Sequence, residues 1–406
     1  MLFQYKKFSS LAFIGKPSTL EIDGWSIEYL GFCLPENAGK TPIVFMGGAF
    51  QNFFSFKKDV QVLLQDSPIL LIDLPSQGSN KQLAAQLEFE DFAGLIVQFM
   101  DRFEIPKITP IGLSYGSATA FYLASLYPQR VEKLIMGGTT PRVRDSYRIL
   151  LEDSIKILQD GEMELFSQGA VMNLINYSKR HITKISERVI KGFYKNMMAL
   201  NPNDKQRYID NTQRLLKLNG VHGTPQCEAL VLTGEYDNFT TPYENYLMSK
   251  KVPRSTFILI NESDHLANLE KRDAVITSYQ MFLKNHDLKL LEGIQVMDQG
   301  NMGKRERRLD KRFILKNHQV ILKDSNDQEF VGILKDISYH GCKIALDEQQ
   351  KKQIDRTNYL EVELPHLDGL GLTAHILNES EDLHCIFRRG NFGQGERLEG
   401  YLDQLA

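Results

Sequence analysis

Between Ile43 and Ile260, short apolar runs recur with helical patterns between them, and this rhythm limits the possible folds more than any other feature. Ile43–Met46, Ile69–Ile72, Ile108–Ile111, Val131–Met136, Ala229–Leu232 and Thr256–Ile260 have no polar alternation that would give a solvated face. Strands of that kind are buried on both sides, as in a mostly parallel sheet with helices on each face. The intervening patterns supply helices at Phe89–Phe103, at Tyr115–Leu126 and from Asp264 to about Lys284. Ahead of the rhythm, Leu11–Ile14 and Trp25–Leu30 read as an opening hairpin.

One interval breaks the alternation. Residues 141–225 read as helices throughout: Ser146–Gln159, Glu162–Asn173, Ile182–Asn201 and Lys205–Leu218. An all-helical insertion between two strands is expected to be a lid over the strand ends. It is rich in basic residues, among them Arg142, Arg144, Arg148, Lys179, Arg180, Lys184, Arg188, Lys191 and Lys195. Solvated helix faces are the simpler explanation, and a dock for an acidic partner is the functional one.

The pattern changes again after Lys284. Residues 287–303 mix polar side chains with glycines and are expected to be a linker. Six strand-like stretches follow: His318–Lys323, Glu329–Asp336, Cys342–Ala345, Tyr359–Leu364, Gly371–Asn378 and Leu383–Phe387. Separated by turn residues, they suggest a small β-barrel. The expected organisation is thus an α/β domain over 1–286 with a helical lid at about 141–225, and an all-β domain over 304–406. A length of 406 residues accommodates both.

Composition removes other classes. No apolar run reaches the ~18 residues of a membrane span, and the N-terminus lacks a secretory h-region. The cysteines, Cys33, Cys227, Cys342 and Cys385, have no zinc or redox spacing, so no metal is expected. Free thiols without a signal point to the cytoplasm. A net charge of −3 argues against generic nucleic-acid binding.

The chemistry centres on "IGLSYGSA", where Gly112-Leu113-Ser114-Tyr115-Gly116 follows an apolar strand and precedes a helix. That context is what a G-x-S-x-G turn needs to lift a serine hydroxyl above a sheet. The hydroxyl needs a base, and the base an orienting acid. Asp237, after the strand at Ala229–Leu232, and His265, after the strand at Thr256–Ile260, follow Ser114 in the order acid, then histidine. Asp264 and Glu235 are weaker alternatives for the acid. "MGGAFQNFFSF" begins at the end of Ile43–Met46. Its Ala49 or Phe50 amide, with that of Tyr115, is a candidate oxyanion donor.

These residues resemble the α/β-hydrolase superfamily over about Met1 to His286. Within it, "VFMGGAFQNFFSF", "LIDLPSQGSN", "DRFEIPKITPIGLSYGS", "VLTGEYDNFTTPYEN" and "SDHLANLEKRDAV" look like the hydroxyalkanoyloxy-alkanoate synthases of rhamnolipid biosynthesis. The resemblance implies a Ser114–Asp237–His265 triad that moves acyl chains from acyl carrier protein or coenzyme A to an alcohol, with no catalytic cofactor. Leu150, Ile155, Leu158, Phe166 and Phe193 would then be candidates to line an acyl tunnel, with plain helix packing as the alternative. Gly112 departs from that family's elbow, and the C-terminal domain is extra. Transfer to water, by an esterase or thioesterase, therefore stays open.

"RRLDKRF", Arg307 to Phe313, is a basic stretch that would pass for a linker if it stood alone. Arg308 and Arg312 form R-x-x-x-R, and downstream "DISYHG" supplies Asp336, Ser338 and Gly341 as D-x-S-x-x-G. The pair looks like the signature of the PilZ domain and covers about Lys304 to Ala406. That resemblance implies binding of cyclic di-GMP. Guanidinium groups fit phosphate oxygens and the guanine edge. Asp336 and Ser338 would take guanine's polar edges, and Gly341 would relieve crowding against the ligand. Arg307 extends the motif to RRxxxR, associated in this family with an intercalated ligand dimer, and Arg305 is a further candidate. The expected whole is a cyclic di-GMP-responsive acyl-transfer or hydrolytic enzyme. The alternative is a signalling adaptor with an inactive hydrolase platform.

Overall fold

The apolar runs become the centre of a nine-stranded sheet. Its strands are β1 (Ser18–Ile22), β2 (Trp25–Phe32), β3 (Ile43–Met46), β4 (Ile69–Asp73), β5 (Thr109–Leu113), β6 (Lys133–Gly137), β7 (Glu228–Gly234), β8 (Ser255–Ile260) and β9 (Ile294–Met297). They lie in the order β1-β2-β4-β3-β5-β6-β7-β8-β9, parallel from β4 through β8 and antiparallel at both edges. The computed structural model describes residues 3–304, 310–355, 359–379 and 381–405.

Successive residues of the central strands enter different cores, as the two-residue period of a strand requires. Val44, Leu70, Leu134 and Val231 pack into one cluster with the helices Phe89–Arg102 and Tyr115–Leu126. Ile43, Leu71, Ile135 and Leu230 pack into the other, with Lys57–Leu63 and Arg272–Leu283. Burial of each such side chain contributes about 1.5–3 kcal/mol, which is why these runs carry no polar face.

Three local expectations change. Leu11–Ile14 belongs to a short helix, Ser10–Ile14, because Ser9 accepts from the Ala12 amide at 3.0 Å and caps it. The opening hairpin is instead β1–β2, turning at Asp23-Gly24 with φ of 50° and 81°, the positive values a tight hairpin turn demands. The stretch expected to be linker contains β9, which pairs with β8, and the helix Gln299–Lys304.

The C-terminal strands close into an antiparallel barrel, as expected. They are β10 (Phe313–Lys323), β11 (Glu329–Ser338), β12 (Gly341–Ala345), β13 (Leu360–Leu364), β14 (Leu370–Glu379) and β15 (Leu383–Phe387), in the order β10-β11-β12-β15-β14-β13. Cys342 and Cys385, far apart in sequence, face each other across β12 and β15 as free thiols. A final helix, Phe392–Gln404, packs Leu398, Tyr401 and Leu402 into the barrel's core and was not anticipated.

The chain divides into two compact units, and the helical insertion divides with it. Met1–Val143 and Leu200–Arg305 form the first; Arg144–Ala199 and Glu306–Ala406 form the second. Of the expected lid, only the helix Pro202–Lys217 stays in the sheet unit. The helices Asp145–Gln159, Met163–Leu174, Arg180–Thr183 and Glu187–Met198 form an arm within the barrel unit. The physical reason is a specific set of contacts. Met172 and Tyr177 join the barrel's apolar core. Asp153, buried, takes a bidentate pair from Arg388 at 2.7 and 2.6 Å, with His375 at 3.2 Å. Arg180 pairs with Glu399 at 2.5 Å, and Tyr177 donates to Glu396 at 2.9 Å.

Candidate active site

Ser114 stands between β5 and the helix Tyr115–Leu126, at φ 49° and ψ −116°. A non-glycine residue there is strained, and such strain persists only where the surroundings enforce it. The surroundings are tight. A Cβ on Gly116 would lie 2.3 Å from the Met46 carbonyl oxygen, and one on Gly112 would lie 2.6 Å from that of Gly116. Both glycines of the motif are therefore required by packing. The Ser114 amide donates to the Gly137 carbonyl at 2.7 Å, tying the turn to β6.

Three strand ends then converge. His265 Nε2 lies 3.0 Å from Ser114 Oγ, and His265 Nδ1 lies 2.9 Å from Asp237 Oδ2. Asp237 is fully buried, and His265 nearly so. Asp237 accepts from the Phe239 and Thr240 amides at 2.9 and 2.8 Å and from the Thr233 and Thr240 hydroxyls at 2.5 and 2.9 Å. Burial pushes the Asp237 carboxyl up, but the His265 charge and these donors outweigh it and hold it below the usual range. Burial pushes His265 down, and the Asp237 carboxylate more than compensates, raising it. Asp264 Oδ1 accepts the Leu266 amide, and Glu235 accepts that of Glu262. The carboxylate hydrogen-bonded to Nδ1 is Asp237.

The loop after β3 borders the serine, with the Cβ position of Gly48 only 3.3 Å from Ser114 Cβ. Ala49 and Phe50 sit in a turn closed by Gln51 N donating to the Gly48 carbonyl at 3.0 Å. The Gly48 amide is taken by Gln51 Oε1. Tyr115 opens its helix, so its amide has no intrahelical acceptor. Phe50 stacks on Tyr208, ring centres 5.6 Å apart, and Phe239 lies against His265 at 4.9 Å. The approach to Ser114 is therefore aromatic.

Tyr208 is held in place by a residue that the sequence did not single out. Arg214, on the same helix and 1% exposed, donates to the Tyr115 hydroxyl at 2.5 Å, to Asn211 Oδ1 at 2.8 Å and to the Ala84 and Leu87 carbonyls. It fastens the helix Pro202–Lys217 to the residue after Ser114. No periodicity or motif marks an arginine that has three of its four acceptors about 100 residues away or more.

In the barrel unit, Arg312 and Asp336, one from each motif, form an ion pair at 2.5 Å. Ser338 is buried and donates to the Gly341 carbonyl at 3.2 Å, so in this conformation it closes the β11–β12 turn. Gly341 is required for a different reason than expected. Its Cβ would meet the Cys385 carbonyl oxygen at 2.2 Å, so the crowding comes from β15. Arg305, Arg307 and Arg308 lie outside the described residues. Among the described residues no helix is long and apolar enough to cross a membrane, and no His, Cys, Asp and Glu cluster suits a metal ion.

A strained serine above a doubly covered sheet, in line with a buried histidine and aspartate, defines an α/β protein of the hydrolase type. The comparisons agree. Residues 41–161 match the alpha/beta hydrolase fold family, and residues 306–404 match the PilZ domain family. The chain is an α/β-hydrolase-fold protein that carries a C-terminal PilZ domain. It is similar to an (R)-3-hydroxydecanoyl-ACP:CoA transacylase of Ectopseudomonas oleovorans, 21% identical over 270 residues, 63% of this chain and 86% of the relative. A poly(3-hydroxyalkanoate) depolymerase of the same organism is 20% identical over 276 residues, 66% of this chain and 92% of the relative. The enol-lactonase from Burkholderia xenovorans LB400 shares the fold at a TM-score of 0.57 and 17% identity, over 66% of this chain and all of that one.

Proposed function

We propose that the chain is a serine-dependent acyltransferase or thioesterase acting on acyl thioesters or esters, controlled by cyclic di-GMP at its PilZ domain. The observation that carries the reading is the hydrogen-bonded line from Ser114 through His265 to Asp237. His265 Nε2 accepts the Ser114 proton as Oγ attacks the acyl carbonyl carbon. The amide of Tyr115, with Ala49 or Phe50, holds the developing oxyanion. Collapse breaks the carbon–sulfur bond, and the leaving thiolate takes the proton back from His265. An alcohol or water then attacks the acyl-serine and gives its proton to Nε2. The ester or acid departs as Ser114 Oγ regains that proton.

The relatives support acyl chemistry. One is named as a transacylase between acyl carrier protein and coenzyme A, another as a depolymerase of a hydroxyacyl polyester. A hydroxyacyl thioester, on coenzyme A or an acyl carrier protein, is accordingly the substrate class to try first. The aromatic approach formed by Phe50, Tyr208 and Phe239 suits an acyl chain. On the barrel, Arg312 would exchange Asp336 for the guanine and phosphates of the dinucleotide, together with Arg307 and Arg308; Asp336 and Ser338 would meet the guanine edge, beside Gly341.

The test is Ser114→Ala in the full chain, with acyl-thioester turnover and lipid products followed by mass spectrometry. Loss of both, with the thermal transition unchanged, is expected. Unchanged turnover would overturn the catalytic assignment and favour an adaptor. For the ligand, Arg312→Ala should abolish cyclic di-GMP binding by calorimetry, and retained affinity would overturn the nucleotide reading.

A further inference from the structure

The barrel unit contains a buried polar cluster that neither motif accounts for. Arg389, just past β15, is 6% exposed. Its Nη1 reaches the Met172 carbonyl of the arm at 3.4 Å, while Nε and Nη2 have no hydrogen-bond partner among the described residues. Its backbone is pressed against the arm, because a Cβ on Gly169 would lie 2.5 Å from the Arg389 carbonyl oxygen. Tyr339 Oη and His340 Nε2, both within "DISYHG", are also buried without a hydrogen-bond partner among the described residues. A buried guanidinium with two idle donors is costly unless something anionic meets it.

The other charges at this seam are few. Asp310, in the middle of "RRLDKRF" and 8% exposed at its side chain, contacts His340 Nδ1. Lys179 of the arm approaches its other oxygen at 3.4 Å. Burial and the Arg389 charge press His340 down to about 4, so it is neutral near pH 7. Arg389, Lys179 and Arg144, whose charge also presses on His340, outnumber the carboxylate of Asp310, so the seam is net positive. Asp310 lies two residues from Arg312, and His340 two from Ser338. The cluster is thus continuous with both nucleotide motifs.

We propose that this seam takes a phosphodiester of the cyclic dinucleotide, with Arg389 and Lys179 as its cationic ligands, so that the bound nucleotide bridges the barrel and the helical arm. The idea rests on the cyclic di-GMP reading and extends it to residues outside the two motifs. A phosphodiester anion suits the net positive charge of the seam, and its oxygens match the idle donors of Arg389. The arm then becomes part of the binding site, which gives the ligand direct purchase on the helices 145–198.

Calorimetry of the full chain with cyclic di-GMP, the linear dinucleotide and inorganic phosphate tests this. Arg389→Met and Lys179→Met are each expected to weaken cyclic di-GMP binding about tenfold or more, and Arg389→Lys to retain part of it. Ligand should slow amide hydrogen exchange in residues 163–198 of the wild type and not of Lys179→Met. Folded variants that bind as the wild type does would overturn this site alone. A wild type that binds no cyclic di-GMP would overturn the nucleotide reading beneath it. Inorganic phosphate bound as tightly, through the same two residues, would make the seam a simple anion site and overturn the bridge. Should Arg389→Met fail to fold, Lys179→Met decides, since that side chain is partly exposed and lies at the rim.

Discussion

In the proposed mechanism the proton leaving Ser114 can reach only Nε2 of His265, and Asp237 keeps that nitrogen free to accept it by holding Nδ1. Asp237 Oδ2 holds Nδ1 as a donor and leaves Nε2 bare. The acidic limb of kcat/KM should therefore follow His265. Because the carboxylate favours the imidazolium, that limb sits above the position of an unpaired histidine. Asp237→Asn removes the negative charge, so the limb should move to lower pH while the rate falls roughly ten-thousand-fold. A pH–rate profile of the variant measures both, and a limb that stays in place would show that Asp237 is not the group setting it. The three hydrogen-bonded residues of the proposed triad were legible in the sequence because each follows a strand and carries a short motif. Thr233 and Thr240 could be named only once the fold brought them to Asp237. Gly341 shows a second such case, since the fold adds a reason for its glycine that the sequence could not give, the Cys385 carbonyl of the neighbouring strand.

Among the elements, the helix Pro202–Lys217 has an unusual position in the chain. It belongs to the same insertion as the arm, yet it stays with the sheet. Arg214 is the most buried of the residues that hold it there, beside Asn211 and Arg207, and gives charge-assisted hydrogen bonds to two backbone carbonyls and two side chains. Arg214→Met leaves those acceptors unmet and should cost about 2–4 kcal/mol in urea unfolding. Tyr115→Phe keeps the helix in place with one bond fewer and should cost about 1–2 kcal/mol. If the two variants proved equally mild, the clamp would not be what fixes this helix. Sequence patterns found the strands and most helices, since both follow from apolar spacing. They missed β1, placing that strand at Leu11–Ile14, β9, whose four residues stand alone in a polar stretch, and the final helix, where glycines blur the helical period. They also could not say which unit the arm joins. That choice is made by Asp153 finding Arg388 and His375 across more than 200 positions. Burial raises the Asp153 carboxyl, and the hydrogen bonds from His375 and Arg388, with the Arg388 charge, lower it further than burial lifts it. Asp153→Ala leaves Arg388 buried without its partner and should cost the barrel unit about 3–5 kcal/mol. Hydrogen exchange should then accelerate in the arm ahead of the sheet.

At the scale of the whole chain, the two units are threaded through each other in sequence. The backbone leaves the sheet unit after Val143, builds the arm, returns at Leu200 and crosses again near residue 305. The departing strand of chain is anchored at Thr139, whose amide donates to Asn245 Oδ1 at 2.8 Å, directly after β6. The returning strand leads into the helix that carries Tyr208 over Phe50. The chain therefore joins the arm to the sheet unit at Val143 and at Leu200, and these joints are candidate routes for coupling. A ligand that reorders the arm should change acyl turnover through these joints. Inserting a flexible Gly-Ser spacer of about six residues between Ala199 and Leu200 should leave cyclic di-GMP affinity and basal turnover of a small ester unchanged, and should abolish the effect of the nucleotide on that turnover. A spacer variant that still responds fully would move the coupling to the joint at Val143 or to the one near residue 305. A spacer that lowers basal turnover by itself would show that the returning joint holds the Tyr208 helix in register even before any ligand arrives.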